Sequence, residues 1–216
     1  MITGINSELS FFVERIPSRA GRVLDVGCGT GHLAITLAEH FDEVVGIDLS
    51  GPMLEIAKRE RAAANITYLQ GDIDSLEPEG TFDMICSSTT FHHLPDPGGT
   101  AQRLAQKLEP EGVIAIVDCV QRRPRLPDFI FRQFLRAEAV FMRIKESRSL
   151  GREVAERNYR ARSNPDWIEH LVLDRFLSPS EFRDTYGGAL PGAQFDSLGW
   201  FDGVTWTSGA DGGPAR

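Results

Sequence analysis

Val23-Leu24-Asp25-Val26-Gly27-Cys28-Gly29-Thr30-Gly31 is an apolar run that ends in a glycine-rich turn and opens directly into a helical pattern. Arg22 to Val26 reads as a buried parallel strand, and Gly31 to Phe41 has helical periodicity through Leu33, Ile35, Leu37 and Ala38. The three glycines let backbone approach a ligand without interference from a Cβ. Such a ligand would sit at the helix N-terminus. The order Gly27-x-Gly29-x-Gly31 departs from the Gly-x-Gly-x-x-Gly of dinucleotide-binding folds, where a pyrophosphate meets the helix dipole. Asp25, two residues before the first glycine, widens the difference, because a carboxylate there repels a pyrophosphate and attracts an ammonium group.

Outward from this turn, strand and helix signals alternate through the first 120 residues, the pattern of a parallel sheet with helices on both faces. Strands are expected at Arg22 to Val26, Glu43 to Ile47, Ile66 to Gln70, Phe82 to Ser87 and Val113 to Val120. Helices are expected at Gly31 to Phe41, Pro52 to Ala64 and Thr100 to Leu108, with a short amphipathic helix, Ser7 to Ile16, ahead of the sheet. Pro78 and Gly80 keep any helix between Ile73 and Thr81 brief, and Glu109-Pro110-Glu111-Gly112 reads as a sharp turn before the fifth strand. Pro127 to Arg160 reads as uninterrupted helix whose apolar residues Ile130, Phe134, Ala137, Phe141 and Ile144 form one stripe expected to pack on the domain. Ser178-Pro179-Ser180-Glu181 has the form of a capping box. Two late strands, Gln194 to Leu198 and Trp200 to Thr207, close the pattern, and residues 208–216 are expected to be a disordered tail.

Acids recur at the tips of adjacent predicted strands. Asp48 ends the second strand, 21 positions after Gly27, where a carboxylate can accept from both ribose hydroxyls of a nucleoside. The alternative is that Asp48 or Ser50 caps the next helix. Asp72 closes the third strand, and Ser87-Ser88-Thr89-Thr90-Phe91-His92-His93-Leu94 follows the fourth.

The glycine turn preceded by an acid, the acids at 48 and 72, and the His-His-Leu stretch resemble the class I S-adenosylmethionine-dependent methyltransferases, in their small-molecule branch (a methyltransferase type 11/25-like domain), over Arg22 to Val120. The resemblance implies an α/β fold: a Rossmann-like, doubly wound seven-stranded sheet of order 3-2-1-4-5-7-6 with its last strand antiparallel. It implies one domain over residues 1–207, with a helical substrate lid inserted at 121–177. Gly27 and Gly29 would border the amino-acid end of S-adenosylmethionine, and Asp25 would face its ammonium group. Asp72 would accept from the adenine amine, an exocyclic group that donates twice, beside the backbone amide of Ile73. Cys28, Gly31, Leu49, Met53 and Ser88 complete the implied cofactor set, and S-adenosylhomocysteine is the implied product. The family's Asn- or Asp-Pro-Pro-aromatic signature for methylating adenine or glutamine nitrogens is replaced by Ser88-Thr89-Thr90-Phe91, which disfavours those acceptors.

A sulfonium methyl is already activated, so a general base is needed only for a protonated, weakly acidic acceptor. The candidates are His92, His93 and His170. A helix through 166–175 would bring Trp167 and Asp174 beside His170 at i−3 and i+4. Phe131, Phe134, Phe141 and Trp167 are expected to line an apolar acceptor pocket.

Composition narrows the remaining classes. A net charge of −8 argues against general nucleic-acid binding, which rests on clustered Lys and Arg. The charge is uneven: residues 121–162 hold 12 basic and 5 acidic side chains, a balance of +7 that leaves −15 elsewhere. That basic segment could meet solvent only, or an anionic substrate, carrier or membrane surface. No apolar run is long enough to span a bilayer, and the start lacks a signal-peptide pattern, so a cytoplasmic protein is expected. Cys28, Cys86 and Cys119 read as small buried hydrophobes, and neither they nor the five histidines have metal-binding spacing. The expected activity is methyl transfer to an oxygen or nitrogen of a small molecule, by a monomer or homodimer. Methylation of a macromolecular or carrier-bound acid, and cofactor binding without methyl transfer, are the alternatives.

Overall fold

The computed structural model describes residues 3–75, 78–122, 126–174 and 176–209, with side chains from residue 8 onward at the N-terminal end. The expected tail at 208–216 lies largely outside the described residues. The chain divides into two compact units, one of residues 1–122 with 176–216 and one of residues 123–175.

The larger unit is built on seven strands: β1 Arg22–Val26, β2 Glu43–Asp48, β3 Ile66–Gln70, β4 Phe82–Ser88, β5 Leu108–Cys119, β6 Gln194–Ser197 and β7 Phe201–Thr207. Their order is β3-β2-β1-β4-β5-β7-β6, with β1 to β5 parallel and β7 antiparallel to both neighbours. The central strands β1, β2 and β4 are nearly continuous runs of buried side chains, as expected where helices cover both faces. One apolar cluster joins Leu24, Val45, Ile47, Phe82 and Ile85 to Phe182 and Tyr186. The other joins Val23, Val44, Met84 and Ala115 to Phe11, Phe12, Leu33 and Leu37.

The helices of this unit are α1 Thr3–Val13, α2 His32–Leu37, α3 Gly51–Glu60, α4 Pro97–Ala105 and, near its end, α8 Pro179–Ala189. The capping box that starts α8 forms as read, with Ser178 accepting from the Glu181 amide and Glu181 accepting from the Ser178 amide. Asp96 caps α4 by accepting from the Gly99 amide, which starts that helix before the expected Thr100. A 3-10 turn, Phe91–His93, lies between β4 and α4. Between β3 and β4 the described residues contain no helix.

The segment expected to be a turn, 109–112, is part of β5. Leu108 pairs with Phe82 and Val113 with Met84, so the intervening residues form an irregularity within the strand. The turn residues act there all the same, since Glu111 has a positive φ of 63°.

The second unit contains α5 Asp128–Ser149, α6 Arg152–Arg162 and α7 Pro165–Leu173. The expected uninterrupted helix over 127–160 is broken after Leu150, because Gly151 turns the chain at φ 89° before α6 starts. Asn164 caps α7, accepting from the amides of Asp166 and Trp167. Arg162 joins Glu146, Arg132 joins Glu169, and Arg143 joins Glu156 while stacking over Tyr159. Within this unit α5 turns inward a different face from the apolar stripe. Ile130, Phe134, Ala137, Phe141 and Ile144 are all exposed, whereas Ala139, Met142 and Glu146 are buried. On that inward face Glu146 accepts hydrogen bonds from Arg162 and Asn158, so its carboxylate is paired. No helix among the described residues is long and apolar enough to cross a membrane.

Candidate functional site

The turn after β1 is held by backbone geometry that only glycine meets easily. Gly27, Gly29 and Gly31 have φ of 70°, 52° and 82°. A Cβ at Gly27 would fall 2.1 Å from Thr90 Oγ1, and one at Gly31 would fall 2.4 Å from the Tyr68 hydroxyl. The loop after β4 and the side chain of β3 therefore press on the turn from both sides. The amides of Gly27 and Cys28 both donate to the Ile47 carbonyl, which fixes the turn to the end of β2. Arg61, just past α3, donates to the Thr30 carbonyl at 2.9 Å and closes the other side of the turn.

Asp25 is 1% exposed. The Ala34 amide of α2 favours its charged form slightly, yet Oδ2 has no hydrogen-bond partner among the described residues. Burial, reinforced by the neighbouring charge of Asp48, pushes the Asp25 carboxyl up to about 7. A buried, unpaired carboxylate oxygen costs free energy unless a donor reaches it. A cationic amine fits that need, so the glycine cradle and the orphan oxygen together suit the ammonium end of S-adenosylmethionine.

Asp48 is the hub of the next strand tip. Its Oδ2 accepts from the Gly29 amide at 2.7 Å and its Oδ1 from the Ser50 amide at 2.8 Å. Ser50, the N-cap of α3, makes no side-chain cap, and Asp48 accepts the Ser50 amide ahead of the helix and not a first-turn amide, so neither side chain caps α3. Each Asp48 oxygen keeps a second lone pair for a further donor. Leu49 and Met53 lie beside it, 71% and 43% exposed, an apolar surface left to solvent in this state. Asp72 is exposed at the tip of β3 and accepts from the Asp74 amide, while Gly71 donates to the Asp48 carbonyl. Cys28 is buried against the Gly46 position, and burial holds its thiol protonated well above the usual range. Ile73 packs on the first apolar cluster.

Past the tip of β4 the chain is constrained again. Thr89 has a positive φ of 55°, a conformation that β-branched residues avoid. Thr90 donates to the Gly27 or Ser88 carbonyl, tying this loop to the glycine turn. The 3-10 turn then presents His92 to the end of β5. Asp118 accepts the His92 amide at 2.7 Å through Oδ2 and faces His92 Nδ1 at 2.5 Å through Oδ1. A carboxylate at Nδ1 favours the tautomer with its proton on that nitrogen, which leaves Nε2 as the other ring nitrogen. The ring is walled by Phe176, with centroids 4.9 Å apart, and its neighbour His93 is exposed. Asp118 also holds the buried Tyr186 phenol above its ordinary range, after burial itself.

Sequence reasoning missed two members of this region. Asp118 ends the fifth strand as Asp25 and Asp48 end theirs, a signal that was legible. Glu8, on α1, is half-buried and accepts from the Ser88 hydroxyl at 3.4 Å; no spacing within α1 announces that contact.

His170 belongs to the helical unit. There Trp167 lies 5.3 Å from its ring and Asp174 3.6 Å from Nε2, the i−3 and i+4 neighbours expected. An open recess is lined by Arg162, Asn164, Asp166, Trp167 and His170. The phenylalanine pocket is not seen within this unit. Phe131 and Phe134 stack on each other, and Phe134 and Phe141 are exposed because they share the outward stripe of α5.

Residues 23–112 match the family model described as a methyltransferase domain. An uncharacterized methyltransferase of Mycobacterium tuberculosis is 37% identical over 106 residues, which is 49% of this chain and 54% of that protein. The uncharacterized methyltransferase YcgJ of Bacillus subtilis is 30% identical over 129 residues, 57% of this chain and 51% of its own length. The chain thus spans about half the length of these curated relatives. The crystal structure of YcgJ shares the fold with a TM-score of 0.58 at 19% identity, covering 94% of this chain and 98% of that one. The complex of DhpI with S-adenosylhomocysteine does so with a TM-score of 0.60 at 18% identity, covering 95% and 86%.

Proposed function

We propose, for a chain whose residues 23–112 match the methyltransferase domain model and whose sheet has the order β3-β2-β1-β4-β5-β7-β6, that it is an S-adenosylmethionine-dependent enzyme that methylates an oxygen or nitrogen of a small-molecule acceptor. The orphan Oδ2 of Asp25, buried beside a glycine cradle, carries the cofactor reading. When bound, S-adenosylmethionine supplies a methyl group already activated by its sulfonium.

The remaining work falls to the chain's own residues. Asp48 is assigned the ribose hydroxyls through its spare lone pairs, and Asp72 with the Ile73 amide the adenine edge. Leu49 and Met53 would cover the ring system, and Asp25 with the Gly27, Cys28, Gly29 and Gly31 turn would hold the amino-acid end. Ser88, at the β4 tip, is assigned to the cofactor set as well. His92 is assigned the proton of a protonated acceptor, taken at Nε2 while Asp118 fixes the ring at Nδ1. His93 and His170 stand behind it as further candidates. Residues 121–177 are assigned acceptor selection as a lid within one domain, 1–207, acting in the cytoplasm.

Calorimetry tests the cofactor: Asp48→Ala is expected to weaken S-adenosylmethionine binding more than tenfold with the fold retained, and unchanged affinity removes the ribose assignment. Release of S-adenosylhomocysteine across phenols, acids and amines tests transfer itself. Once an acceptor is found, Asp118→Asn is expected to lower kcat at least tenfold with cofactor affinity within twofold. An unaltered kcat takes His92 out of the chemistry.

A further inference from the structure

The N-terminal helix carries a carboxylate that the cofactor assignments leave unused. Phe11 and Phe12 of α1 are buried on the sheet, Phe11 so closely that a Cβ on Gly203 would lie 2.5 Å from its ring. Arg15 locks the helix end, donating to Thr205 Oγ1 and to Asp196, each at 2.8 Å. Glu8 stands three and four residues before the two buried rings and so shares their side of the helix. It is thereby held against the tip of β4, half-buried, where the Ser88 hydroxyl donates to its Oε2. A neutral hydroxyl 3.4 Å away is weak compensation for a carboxylate drawn out of water, which is satisfied best by a cation.

The sheet order says which cation. With the ribose at Asp48 on β2 and the adenine toward Asp72 on β3, the remaining part of the cofactor would lie toward β1 and its neighbour β4, because the order is β3-β2-β1-β4. That part carries the positive sulfur. We infer that Glu8, oriented by Ser88, is a positioning residue that reads the sulfonium charge and makes the site prefer S-adenosylmethionine to its neutral thioether product. The inference rests on the cofactor reading above. Product release would benefit directly, since loss of the methyl group removes the charge that Glu8 holds.

The test is calorimetric titration of the full chain with S-adenosylmethionine and, separately, with S-adenosylhomocysteine. Glu8→Gln keeps the shape and removes the charge. It is expected to weaken the sulfonium compound at least fivefold while the thioether changes less than twofold. Glu8→Asp is expected to restore part of the difference, and Ser88→Ala to lose part of it. Equal weakening of both compounds, with the circular dichroism spectrum and Tm retained, makes Glu8 a structural residue and overturns the inference. So does an unchanged ratio. If the unaltered protein binds neither compound, the cofactor reading itself fails, a result distinct from either.

Discussion

Asp25 shows how much one residue can reveal before any ligand is seen. Its carboxyl titrates near 7 in the folded chain because burial disfavours the charge, against 3.8 for an ordinary aspartate. Between those values the folded state keeps a proton that the unfolded chain has released, so stability falls as pH rises from about 4 to about 7 and is level above. Asp25→Asn keeps the shape of the side chain and removes the buried charge. The ligand-free variant is therefore expected to exceed the parent by about 1–3 kcal/mol at pH 8 and to match it near pH 4, read from Tm against pH. Superimposable curves at both pH values discard the burial explanation. The same residue was legible in sequence as an acid before a glycine turn. Its orphan oxygen was not, because the burial that leaves it without a partner comes only with folding.

At the scale of elements, the local signal of a helix cap held. Ser178 with Glu181 predicted a capping box, and both reciprocal hydrogen bonds are formed. Ser178→Ala is expected to cost about 1 kcal/mol of global stability in urea unfolding, with the slope unchanged. A loss below the error of the fit means that the α8 start is held by packing of Phe182 and Tyr186 instead. Signals failed where two readings fit one pattern. In α5 both faces carry apolar side chains, and periodicity picked the stripe of Phe134 and Phe141 over the face of Ala139 and Met142. The inward face also carries Glu146, whose partner Arg162 lies sixteen residues on in the next helix. Gly151 marked the break between them plainly, yet a lone glycine within a helical pattern is tolerated often enough to be read through.

For the whole molecule, the two units divide the charge as well as the fold. Replacing Pro127 to Arg160 by a short flexible linker is expected to abolish turnover while S-adenosylmethionine still binds within about tenfold of the parent. Equal retention of both functions makes the helical unit a bystander to acceptor selection. Steep loss of turnover with added salt would point to an anionic acceptor met by its arginines.

The sequence by itself determined the sheet unit: alternation of buried strands and amphipathic helices, a turn needing three glycines at positive φ, and acids at strand tips. These are properties of short stretches, and backbone sterics and burial read them the same way in any context. Only the tertiary structure decided that Asp118 holds His92, that Glu8 meets Ser88, and which face of α5 turns inward. Each depends on side chains distant in sequence meeting in space, and no local periodicity encodes such a meeting.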